Sequence, residues 1–108
     1  MSKIQAETPI TLEQEIVAAL ADADVKSSDL SALIERTEAA ITETDQAAET
    51  ARSMALDPVL SPDAKAAREA MQAAEFCRDR LRAVLPRLQA RLAEVQAAEV
   101  RARWERTL

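Results

Sequence analysis

Not one of the 108 residues is glycine. Glycine is the residue that reaches positive φ without steric cost and lets a backbone approach a phosphate closely. The chain therefore has no phosphate-binding loop and no dinucleotide fingerprint. It also lacks the glycine turns that close β-sandwiches and barrels. Alanine fills 24 positions, and Phe76 and Trp104 are the only aromatics. An excess of Ala, Glu, Arg, Gln and Leu is the composition of long helices, so the fold class is expected to be all-α. Burying alanine removes little area from water, which makes the core thin per residue.

Other absences narrow the chemistry. There is no histidine, hence no Ser-His-Asp triad, no HExxH zinc motif and no Glu-x-x-His di-iron ligand set. Cys77 is the single cysteine, so neither a zinc finger nor an internal disulfide can form. Acid–base chemistry by Asp, Glu or Lys stays open, but no pair stands out. The expectation is a non-enzyme with no cofactor and no metal. The longest uncharged apolar run, Ile16 to Ala21, is too short to span a bilayer, and residues 1–7 lack the apolar core of a signal peptide. No membrane association and a cytoplasmic location are expected.

Periodicity divides the chain into a flexible N-terminus, 1–10, and one helical domain, 11–107, with helices at about 11–24, 28–56 and 62–106. Thr8-Pro9 or Thr11 opens the first, whose apolar face is Leu12, Ile16, Ala19, Leu20 and Ala23. Ser27 or Ser28 can cap the second. Its seam of Leu30, Ile34, Thr37, Ile41, Thr44, Ala48, Ala51 and Ala55 alternates steps of four and three, a heptad repeat. Pro58 closes it, and Ser61-Pro62-Asp63 supplies an N-cap, a first-turn proline and an acidic second residue for the third. That helix has a seam of Ala70, Ala74, Cys77, Leu81, Leu85, Leu88, Leu92 and Val95, partly in eleven-residue units, and Pro86 is expected to kink it.

The short loop at 57–61 makes the long helices antiparallel neighbours. With the first helix extending the second into one arm, the two arms are nearly equal, and residue n faces about 118 − n. Residues 1–61 carry four bases against twelve acids, while 62–108 carry ten bases against seven acids, so the arms attract. The expected architecture is a long, coiled-coil-like antiparallel hairpin with a short N-terminal helix extending one arm. Leu33, Ala40, Ala47 and Met54 form a second stripe beside the seam, spaced by seven. One opposing helix cannot cover so wide a face, so a homodimer forming a four-helix bundle is expected.

Each remaining candidate carries two readings. Cys77 is a reactive thiol or, as favoured, a small buried hydrophobe. Arg78, Arg80, Arg82, Arg87 and Arg91 bind phosphate or, as favoured, pair with the acidic arm. Thr37 and Thr44 bond a partner or, as favoured, their own helix one turn back. Leu56, Val59 and Leu60 form a binding tip or, as favoured, a hydrophobic cap over the third helix. Ala97, Val100 and Trp104 form an interface or pack on Ile10 and Leu12, with neither reading preferred. The candidate interface is thus Leu33, Ala40, Ala47, Met54, Val100 and Trp104.

The stretch Leu56-Asp57-Pro58-Val59-Leu60-Ser61-Pro62, followed by Phe76-Cys77-Arg78-Asp79-Arg80-Leu81-Arg82-Ala83-Val84-Leu85-Pro86-Arg87-Leu88, resembles uncharacterised short helical proteins of bacteria, some from prophage-like gene clusters. The resemblance implies no activity and no site residues. Secreted helical hairpins of the WXG type are similar in size, but their turn motif needs a glycine. The expected function is a non-catalytic, homo-oligomeric assembly or interaction module that presents a helical surface to a protein partner. The alternative is a nucleic-acid-binding accessory protein of phage-like context, working through the arginines of the third helix.

Overall fold

A computed structural model describes residues 9–107, and all the regular structure among them is helical. The helices are α1, Pro9–Ala21; α2, Ser27–Ala55; and α3, Ala64–Thr107. The particle measures 71 × 36 × 18 Å, and its long dimension is close to the length of α3 alone, about 66 Å at 1.5 Å per residue.

The helix ends follow local chemistry. Proline opens α1, where its missing N–H and fixed φ suit a first helical position. The helix begins two residues before the expected start at 11. It stops at Ala21, three before 24, because Asp22 Oδ1 accepts the Asp24 N–H at 2.9 Å and draws the backbone into a turn. Arg91 Nη2 of α3 donates to the Asp22 carbonyl just beyond this end, at 3.4 Å. The N-cap of α2 is Lys26, which gives no side-chain cap, so neither Ser27 nor Ser28 plays that part. Glu99 of α3 does so from outside: its carboxylate accepts the Ser27 N–H at 3.1 Å and the Ser27 hydroxyl at 2.7 Å. Asp63, not Ser61, caps α3, with Oδ1 accepting the Ala66 N–H at 3.1 Å. Pro86 lies within an unbroken α3. It is exposed, so water can reach the Arg82 carbonyl that loses its helical donor.

Two expectations of arrangement need correction. First, α1 does not extend the arm of α2. It turns back at Asp22 to run antiparallel to α2 and alongside α3 in the same direction. Glu15 grips Arg36 of α2 through two hydrogen bonds of 2.9 and 2.7 Å, and Glu13 meets Arg80 of α3 at 2.7 Å. The reason is burial. As an extension, Leu12 and Ile16 would have faced only the Ala- and Arg-rich end of α3. Folded back, they lie in one buried cluster with Leu30, Leu33, Leu81 and Leu88. Second, the hairpin register differs by about a heptad. Ser27 faces Glu99, and Asp45 faces Arg78 and Arg82, where 118 − n would give 91 and 73. The buried residues of α3, Leu81, Leu88 and Val95, step by seven; Ala70, which the eleven-residue reading included, is exposed.

The molecule is consequently three helices thick beside α1 and two helices thick toward the α2–α3 loop. Beyond Glu99, the end of α3 runs past the start of α2.

Candidate interaction surfaces

Four of the five candidate arginines of α3 pair with carboxylates within the chain, and the fifth, Arg87, is exposed. Arg80 donates to Glu13 through Nε and Nη2, and this carboxylate holds its guanidinium even more firmly charged than usual. Arg78 and Arg82 converge on Asp45 at 3.4 and 3.2 Å. Arg91 pairs with Glu94 at 3.1 Å. Each pair is partly exposed and contributes little stability alone; those with Glu13 and Asp45 tie α3 to α1 and α2, while Arg91–Glu94 lies within α3 itself.

The threonine readings hold. Thr37 is buried and its hydroxyl donates to the Leu33 carbonyl at 2.6 Å, while Thr44 donates to the Ala40 carbonyl at 2.9 Å. Both satisfy themselves on their own helix. Cys77 is a half-buried free thiol.

The six candidate interface residues divide. Leu33 is only 7% exposed, inside the cluster that α1 completes. Ala40 is half-buried, Ala47 is exposed, and Met54 is 45% exposed. One end of the stripe is thus covered within the chain and the other is not. Val100 and Trp104 are exposed, Trp104 at 64%. They do not meet Leu12, which α1 carries into the core; the side chain of Ile10 lies outside those described.

The loop residues overturn a favoured reading. Leu56, Val59 and Leu60 are all exposed, Val59 at 86%, so they form an apolar tip and not a cap. The backbone folds on itself instead: Asp57 accepts the Val59 N–H through Oδ1 and the Ser61 N–H through its carbonyl, both at 2.9 Å. Phe76 is the residue that periodicity overlooked. It is 61% exposed on α3, with the Arg80 guanidinium 5.6 Å from its ring centre. Its place off the Leu81 seam, one turn before Arg80, was the available signal.

Among the described residues, no group of three or more Cys, Asp or Glu side chains could hold a metal ion, and no helix is long and apolar enough to cross a membrane. No family model, no curated protein and no solved structure matches the chain.

Proposed function

We propose that this protein is a non-catalytic assembly module that self-associates and presents the end of α3 to a protein partner. One observation carries the reading: seven of its large apolar side chains stand exposed away from α1, from Met54 through the tip to Phe76, and again at Val100 and Trp104. Two separate groups of exposed large apolar side chains, one toward the hairpin tip and one at the end of α3, have the character of interaction surfaces. An exposed Trp with neighbouring arginines, Arg101 and Arg103, has the chemistry of a protein-binding hot spot. The internal pairing of Arg78, Arg80, Arg82 and Arg91 weighs against nucleic acid as the partner, because a phosphate backbone would have to compete for them.

Sedimentation equilibrium at micromolar concentration tests the self-association, with a mass of twice the 11.8 kDa chain expected. Affinity capture from the native host tests the α3 end. A protein retained by the wild-type chain and lost from a Trp104→Ala bait supports it. Retention on DNA or RNA that falls with salt would favour the nucleic-acid reading instead.

A further inference from the structure

Helix α3 is apolar on two sides. The buried Leu81, Leu88 and Val95 face α1 and α2. Ala83, Ala90 and Ala97 follow them by two residues each, about 200° round the helix, and so lie on the opposite side. The same seven-residue step reaches Phe76 at one end and Trp104 at the other, the only aromatics of the chain. All five are exposed, and no described element covers the strip they form, which is about 42 Å long. Helix α1 does not obstruct it, because Leu12 and Ile16 hold α1 on the side of Leu81 and Leu88.

Given the self-association argued above, on which this inference rests, we propose that the protein partner of the α3 end is a second copy of the chain. Its α3 lies antiparallel along this strip, with the two-fold axis at Ala90. The strip is self-complementary about that point. Phe76 and Trp104 are equally far from Ala90, as are Ala83 and Ala97. Each Phe76 therefore meets the partner's Trp104, each Ala83 the partner's Ala97, and Ala90 its own copy. Alanine along the middle lets the two helices approach closely, and an aromatic pair closes each end.

Charge selects the direction. Arg87 is the one candidate arginine of α3 with no carboxylate partner among the described residues. Glu94 is exposed and pairs with Arg91 through one oxygen, Oε1. Both lie on the flank of the strip nearer α1, three and four residues from Ala90. A two-fold axis across antiparallel helices brings like flanks together, so each Arg87 meets the partner's Glu94. Toward the outer ends the same flank brings Arg101 to the partner's Arg80, whose charge Glu13 offsets at 2.7 Å. In a parallel pair opposite flanks meet, and Arg87 would face Pro86 and Ala93, which offer no acid.

Charge reversal, cross-linking and sedimentation test this on the full chain. Arg87→Glu and Glu94→Arg are each expected to weaken dimerisation about tenfold, and the double variant to restore it. In a Cys77→Ser background, Ala83→Cys chains mixed with Ala97→Cys chains are expected to form a disulfide-linked dimer under mild oxidation, and neither variant alone. Ala90→Arg replaces an exposed residue, so it should keep the circular dichroism of the wild type while sedimenting as a monomer. A dimer that survives Ala90→Arg overturns this surface, leaves self-association standing and leaves the α3 end to a different protein. Either cysteine variant linking alone, or a double charge variant no better than the single ones, overturns the antiparallel pairing. A wild-type chain that stays monomeric at micromolar concentration overturns both the surface and self-association.

Discussion

Glu99 shows how a single exposed carboxylate can define a helix end in another part of the chain. Its two oxygens satisfy the N–H and hydroxyl of Ser27 at the start of α2, where the free N–H groups and the helix dipole favour negative charge. The Ser27 hydroxyl, followed by the Ser27 N–H, holds the Glu99 carboxyl below its ordinary pKa. A depressed carboxylate contributes stability that is present above its unfolded-state pKa and lost as pH falls through the lower, folded-state value. The wild type should therefore melt higher than Glu99→Gln near neutrality, and the gap should close as pH drops below about 4. Thermal melts of both proteins across that range check it; a gap independent of pH would show that the carboxylate charge is not what matters. Thr37 illustrates the opposite case, a buried polar group whose hydrogen bond closes within its own helix and asks nothing of its neighbours.

At the scale of the element, α3 organises the molecule. It is 44 residues long, it supplies the buried Leu81, Leu88 and Val95, and it is unbroken at Pro86. Proline inside a helix forfeits one hydrogen bond and crowds the preceding turn, at a cost of about 3 kcal/mol. Pro86 is exposed, so nothing in the packing requires the ring. Pro86→Ala should keep the fold and raise stability by about 1–3 kcal/mol, measured by urea denaturation. Spin labels at Arg68 and Arg101 should remain about 50 Å apart in both proteins, as 33 helical steps require. A separation nearer 10 Å would mean that the chain reverses after Pro86.

At the scale of the whole molecule, the reversal of α1 divides the hairpin into a covered part and an uncovered one, and this changes what Leu33 does. Had α1 extended α2, Leu33 would lie at the surface with Met54. Packed with Leu12 and Ile16, it belongs to the core of one chain. Leu33→Glu would place an unpaired charge in that core, at a cost of several kcal/mol. It is expected to unfold the monomer, seen as loss of helical circular dichroism. A folded monomeric Leu33→Glu would put Leu33 at an interface between chains.

The sequence by itself determined that the chain is helical, where its long helices lie and that Pro86 does not end one, because these depend on propensity, heptad spacing and the residues at the caps, all of them local. It also marked Ala47, Met54, Val100 and Trp104 as apolar positions outside the seam. Only the tertiary structure decided the direction of α1, the hairpin register and the exposure of the tip. Leu12 and Ile16 present the same helical face whether α1 runs on from α2 or folds back; the choice depends on which surface removes more of them from water. Two Ala-rich heptad faces fit each other almost equally well one heptad apart, so the register depends on distant pairs such as Ser27 with Glu99 and Asp45 with Arg78. Such pairs follow from where the helices meet, and no spacing within either helix encodes them.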